Sequence, residues 1–503
     1  MPQAGAFVPG PGRGGRRIFP WGSASSAELD AIGKPAGHPS GPGIAFWPVH
    51  GVNPARTRFS DLPPTPALFL MNRKKITTFP LKELHALLSA GDLTAEEIAK
   101  VAASSAAEYP GCPMYLWRPP ATGVSPAADS APAPGPLEGL PLSVKDLFDV
   151  AGAPTTCGSS FFAGTRPVPA RDAGYVKRWK ATGVRVTGKT HLNEFAYGIT
   201  GENRAFGDCW IPGYPDRLTG GSSSGAAASV VAGAACLALG TDTGGSLRVP
   251  AALCGLVSVR QSLGFGEMEG AFPLAQAFDT VGWIQRHLSD VAWVAHAVHP
   301  EIQPEDVDTA PRMAWLDGPF LDGLGPEVAA ARTEFREAVR TAGARVTEQS
   351  APGWEDAVGI FVPIQAQEAA QNHAAFLPEH REQYDPAILE RLTLGAAVTP
   401  DRLGELQRMR ERFCRDCIEP LWADNEFLVV PASPVPRLEF GADHRNTRPR
   451  LLRLTAPASL GGLPVLTVPW CPGGVPGCGF QILARRGQDA RLWALATWLA
   501  SRM

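Results

Sequence analysis

Residues 218–250 read LTGGSSSGAAASVVAGAACLALGTDTGGSLRVP, and this stretch decides how the chain is understood. Two turns, Gly220-Gly221-Ser222 and Gly244-Gly245-Ser246, flank one helical run and one apolar run. The run 224–235 is almost entirely small residues, so it predicts a helix that can be buried and closely approached. The first turn of such a helix carries N–H groups without intrahelical partners and the positive end of the helix dipole. Residues 236–239 read as a strand. In the second turn, Thr243-Gly244-Gly245-Ser246, successive backbone N–H groups can converge with no side chain in the way, which suits a developing oxyanion. Asp242 and Arg248 bracket that turn and are read as bracing it through charge-assisted hydrogen bonds. A flexible Gly/Ser linker would not be bounded by a buried-type helix and a strand.

Outward from this stretch the pattern stays regular. Residues 142–144 and 184–187 read as strands and 172–181 as a helix, an alternation that indicates an α/β fold. Residues 327–342 and 402–422 predict long amphipathic helices, and 427–430 and 465–468 late strands. Thr94, followed three residues later by Glu97, predicts a helix start. The Pro/Ala/Gly-rich segment 119–136 predicts a surface connection. Residues 1–70, rich in Gly, Pro, Arg and Ser, predict a disordered extension, with the folded domain over 71–503 and Met71 as an alternative native start.

Composition narrows the function. With 44% hydrophobic and 19% charged residues the chain has ample material for a core. A net charge of −3 gives no electrostatic footprint for nucleic acid or an anionic membrane. No apolar run is long enough to span a bilayer. Arg16-Arg17 precedes a polar stretch, which argues against a twin-arginine export signal. The nine cysteines are odd in number and scattered, and only Cys414 and Cys417 have ligand-like spacing, with no second pair to complete a metal site. Free thiols fit a reducing compartment, and the expected location is cytoplasmic.

Two motif matches compete. Gly221-Ser-Ser223-Ser-Gly225 satisfies the G-x-S-x-G nucleophile elbow, which must follow a hydrophobic strand. Residues 211–219 contain two prolines and read as a loop, and no histidine lies in a recognisable motif. Residues 183–190, GVRVTGKT, satisfy the P-loop pattern, but 184–187 itself reads as the strand, where a P-loop would follow one.

With these turns and Lys145 in view, the chain resembles the amidase signature family. The resemblance rests on 139–146 (GLPLSVKD), 155–159 (TTCGS), 188–195 (GKTHLNEF), 220–225 (GGSSSG), 240–250 (GTDTGGSLRVP), 430–434 (VPASP) and 455–464 (TAPASLGGLP). It implies a single α/β/α domain around a large mixed sheet. It also implies a serine–cis-serine–lysine triad at Ser246, Ser222 and Lys145, with a cis Gly221–Ser222 peptide. The oxyanion donors implied are the N–H groups of Thr243, Gly244, Gly245 and Ser246. Ser223, Asp242 and Arg248 take supporting roles, and the backbone around Tyr197, Gly198, Ile199 and Thr200 lines the acyl pocket. The chain departs from the family at Ser258, at Arg260-Gln261-Ser262, where Lys-Pro-Thr is common, and at Ser459, where Asn is common.

The chemistry follows from the residue types. An amide is a poor electrophile with a poor leaving group, so the nucleophile must be activated and the departing nitrogen protonated. Lys145 can act as a base only when neutral, which requires desolvation or a nearby positive potential. Ser222 then relays the proton between Ser246 and Lys145. No metal or organic cofactor is required. The expected partner is a small primary or aryl amide, with no nucleic acid or membrane, and a homodimer is left open. Gln365, Gln367, Glu368 and His373 recur at near-helical spacing, and read more as a solvated helix face than as an entrance lining. The alternative function is the glutamine-hydrolysing subunit of a transfer-RNA-dependent amidotransferase. Such subunits often carry Gln where this chain has Val249.

Overall fold

Alternate residues of the strand Arg312–Asp317 join two different apolar clusters: Met313 and Trp315 pack into one, Ala314 and Leu316 into the other. Phe427 and Val429 separate from Leu428 and Val430 in the same way. Side chains alternate across a strand, so a sheet whose two faces are both apolar must be covered on both sides. The computed structural model, which describes residues 73–119, 135–471 and 474–503, builds this arrangement: helices on both faces of one large sheet. The expectations for residues 1–70 and for most of 119–136 lie outside the described residues.

In chain order the strands are β1 Tyr115–Trp117, β2 Pro141–Lys145, β3 Arg185–Thr190, β4 Trp210–Ile211, β5 Tyr214–Leu218, β6 Leu237–Asp242 and β7 Val257–Arg260. There follow β8 Thr280–Gln285, β9 Arg312–Asp317, β10 Arg345–Ser350, β11 Phe427–Pro431, β12 Leu438–Glu439, β13 Val465–Pro469 and β14 Gly479–Leu483. Eleven form a mixed sheet in the order β1-β3-β2-β6-β8-β7-β13-β14-β11-β9-β10, and β12-β5-β4 form a small separate one. The fold is therefore the mixed α/β architecture expected. β2 runs parallel to β6 with Val144 opposite Leu239, so Lys145 and Asp242 end neighbouring strands at the same edge.

The helix Ser224–Ala232 is built for close contact, and its residues from Ser224 to Val230 are all buried. A Cβ on Gly225 would lie 2.3 Å from the Met114 carbonyl oxygen, so no larger residue fits there. Thr94 caps Ala95–Ala107: its hydroxyl accepts from the Glu97 N–H at 3.2 Å, and the Glu97 carboxylate accepts from the Thr94 N–H at 2.9 Å.

Two expectations are corrected. Residues 402–422 are not one helix: Pro400–Phe413 passes into a π turn over Cys414–Ile418 and a 3-10 turn over Glu419–Trp422. Pro420 lacks the N–H that a continuing helix needs. Residues 211–219 are not all loop, because Tyr214–Leu218 is a strand between β12 and β4, with Pro215 tolerated in this short ribbon.

Candidate active site

Lys145 closes β2 with a fully buried side chain. Its Nζ donates to Ser222 Oγ at 2.8 Å and to Thr241 Oγ1 at 2.9 Å. The carboxylate next to it in sequence, Asp146, faces another lysine: Lys189 Nζ lies 2.6 Å from Asp146 Oδ1. Burial pulls the Lys145 ammonium down to about 7, against the opposing pull of Asp242, Asp279 and Cys157. A lysine at this value is substantially neutral near pH 7 and can accept a proton.

Ser222 is buried and follows a cis Gly221–Ser222 peptide. The two glycine-serine turns are pinned together where the Ser223 N–H donates to the Ser246 carbonyl at 3.1 Å. Among the described residues Ser246 Oγ makes no hydrogen bond to Ser222, so one link of the expected relay is formed, Lys145 to Ser222. Ser223, the serine of the elbow match, is fully buried and donates to the Thr241 carbonyl at 3.2 Å. No histidine hydrogen-bonds to Ser222, Ser223 or Ser246 among the described residues. The P-loop match also resolves: Lys189 lies on β3 itself and pairs with Asp146.

Asp242 organises the second turn. Its carboxylate accepts from the N–H groups of Gly245 at 2.8 Å and Leu247 at 3.0 Å. It also accepts from Arg248 Nε at 3.0 Å and Arg260 Nη1 at 2.8 Å. Burial alone would raise its pKa, but the two guanidinium groups hold it well below the usual carboxylate range. Arg248 then crosses to the far part of the chain, donating to the Thr455 carbonyl at 2.8 Å, Gln481 Oε1 at 2.7 Å and Ser459 Oγ at 3.0 Å. Gly245 has φ +125°, and a Cβ there would meet Thr455 at 3.0 Å, so both conformation and space call for glycine. The Gly245 N–H is committed to Asp242 and is not available to an oxyanion, which leaves Thr243, Gly244 and Ser246 of the four donors expected in the turn.

A narrow cleft opens onto Ser246. Tyr197, Gly198, Ile199 and Gly244 line it, together with Gln365 and Arg448. Thr200 does not: its hydroxyl turns to Glu202 Oε2 at 2.7 Å. The helix Ala357–His373 carries the four polar residues expected on a solvated face, but Gln365, Gln367 and His373 are buried. Of these Gln365 reaches the cleft, while Glu368 accepts from the Ala277 N–H and His373 contacts the Tyr384 hydroxyl.

Sequence reading missed Thr241, Arg260 and Arg448. Thr241 becomes visible once β2 and β6 are known to be parallel neighbours. Arg260 stands at a departure from the family pattern and turns out to be the second cation on Asp242. Arg448 lies outside every motif.

The sequence model of the amidase family matches residues 120–493. The chain belongs to the amidase family. It is 33% identical over 379 residues to AtzE, a component of the 1-carboxybiuret hydrolase of Pseudomonas sp. (strain ADP), covering 69% of this chain and 80% of the relative. It is 30% identical over 396 residues to Amidase 1 of Oryza sativa subsp. japonica, covering 70% and 88%. A crystal structure of an amidase superposes with a TM-score of 0.76 at 31% identity, covering 84% of this chain and all of that one. Family and relatives make this chain an amide-hydrolysing enzyme. No helix among the described residues is long and apolar enough to cross a membrane.

Proposed function

We propose that this amidase-family enzyme hydrolyses a small carboxylic acid amide, primary or aryl, through an acyl-enzyme on Ser246. The observation that carries the reading is the buried Lys145–Ser222 contact of 2.8 Å, made by a lysine whose pKa burial lowers to about 7. Neutral Lys145 takes the proton of Ser222 as Ser222 takes that of Ser246, and Ser246 Oγ attacks the carbonyl carbon. The resulting oxyanion meets the free N–H groups of the second turn. The relayed proton returns to the departing nitrogen, the C–N bond breaks, and water then cleaves the ester. Nine free cysteines support a reducing, cytoplasmic setting.

A fluorophosphonate probe tests the nucleophile without knowledge of the substrate. Peptide mapping is expected to place the label on Ser246 and to find it lost in Lys145→Ala. A label on Ser223 would transfer the reaction to the elbow serine and overturn this assignment.

The pH profile tests the base. Only neutral Lys145 accepts a proton, so kcat/KM should rise about tenfold per pH unit below about 7 and level off above it. A profile that is flat or falling from about pH 6 to 9 removes Lys145 as the base.

A second reading has one observation in its favour. The chain is 31% identical over 459 residues to a glutamyl-tRNA(Gln) amidotransferase component from Chloroflexus aggregans (strain MD-66 / DSM 9485), covering 81% of this chain and 93% of the relative. Glutaminase activity together with co-purification of a large partner would favour it, and silence on glutamine opposes it.

A further inference from the structure

Arg448 is the one charged side chain among the residues lining the cleft that contains Ser246. It is half-buried, and no carboxylate lies within ion-pair distance of it among the described residues. Its guanidinium donates to a neutral amide oxygen, Gln365 Oε1, at 3.5 Å. Burial lowers its pKa to about 10, and the positive charge of Arg391 works in the same direction. Arg391 donates to the Tyr197 carbonyl and lies 5.3 Å from the centre of the Tyr197 ring, so a second cation backs the same wall. Asp385, Glu390 and Glu202 act on Arg391, whereas no carboxylate acts on Arg448, where the Tyr197 phenol alone opposes the loss of charge.

The backbone adds to this field. Arg448 lies in the first turn of the helix Thr447–Leu460, which has no acidic residue there. The positive end of the helix dipole opposes a cation in that position. Leaving a half-buried guanidinium without a counter-ion is costly. Desolvation, a neighbouring cation and a helix terminus all work against the Arg448 charge, and an anion beside it would offset them.

We infer that the substrate carries a free carboxylate on its acyl part, seated on Arg448 and Gln365, so that the enzyme cleaves the monoamide of a short dicarboxylic acid. This rests on the amide-hydrolysis reading above and specifies its substrate. If the leaving group is ammonia, it has no room for a carboxylate, so the charge must sit on the acyl side. Water adds across the C–N bond, and the products are a dicarboxylate and ammonia. An enzyme supplying this substrate would make a half-amide, by opening a cyclic imide or amidating one end of a diacid. L-glutamine also bears a carboxylate, but its ammonium finds no acidic partner among the lining residues, so glutaramate should exceed glutamine.

The test compares malonamate, succinamate and glutaramate with propionamide, butyramide and valeramide, scored for ammonia. At the best length the acid is expected to exceed its neutral counterpart in kcat/KM by about ten- to a hundredfold. In Arg448→Gln that ratio should fall toward one, mainly through KM, and Arg448→Lys should restore part of it. Because either variant could misfold, product inhibition of the unaltered enzyme gives a second reading, with the matching dicarboxylate expected to inhibit at lower concentration than the monocarboxylate. Neutral amides turned over as well as the acids, or a ratio that survives Arg448→Gln, would overturn the inference and leave amide hydrolysis standing. No ammonia from either series, with no probe label on Ser246, overturns both.

Discussion

Ser246→Ala and Lys145→Ala are each expected to lower kcat by about four to six orders of magnitude, and the double variant by no more than either alone. The non-additivity is the stronger part of the prediction. A nucleophile without its base, and a base without its nucleophile, lose the same step, so the second change finds nothing left to remove. The structure separates this from simple destabilisation. Among the described residues no carboxylate touches the buried Lys145, and burial disfavours its charge. Removing it should therefore leave thermal stability unchanged or raised while activity disappears. Steady-state rates on any turned-over amide, with melting temperatures alongside, decide the matter. More than about a hundredth of the activity retained in Ser246→Ala would place the nucleophile elsewhere.

Asp242→Asn should behave in the opposite way and unfold the protein more readily. One buried carboxylate neutralises two buried guanidinium groups, Arg248 and Arg260, at 2.8 Å each. Removing its charge leaves both cations uncompensated, a loss of about 3–5 kcal/mol. The folded pKa of Asp242 is depressed, so its contribution is complete above the unfolded carboxylate value of about 3.9 and fades as pH falls toward the folded one. The variant's deficit in urea midpoint should accordingly be full at neutral pH and shrink in acid. An unfolding free energy within about 1 kcal/mol of the parent's at neutral pH would mean the arginines find other acceptors.

The parts of this enzyme that could be read from the chain are those whose chemistry is local. Small residues around Ser222 and Ser246 announced two tight turns and a buried helix, and the α/β alternation announced the sheet. What escaped depends on partners far along the chain. Arg260 looked like a departure from a family pattern, yet it reaches Asp242 eighteen positions earlier. The bracing of Arg248 by Thr455, Ser459 and Gln481 spans more than two hundred residues and leaves no spacing to detect. β9 and β14 gave no period-two signal because both of their faces are buried. Pro363 and Pro457 sit inside helices, where a proline ordinarily marks a boundary. The emphasis on Lys145 came from the resemblance to the amidase signature family, and Arg448 was missed because it stands outside any motif.

The order of the large sheet bears on how the enzyme is made. β13 and β14, from the last forty or so residues, lie in the middle of the sheet and join β7 to β11. A ribosome delivers Lys145, Ser222 and Ser246 long before it delivers these two strands. Until they emerge, the half built from β1 to β8 ends in an open apolar edge at β7, and Arg248 lacks the Gln481 that steadies it. A nascent chain in that state is a client for chaperones and prone to wrong pairing. A fragment ending before Val465 would hold Lys145, Ser222 and Ser246 yet lack the two strands that join the halves of the sheet.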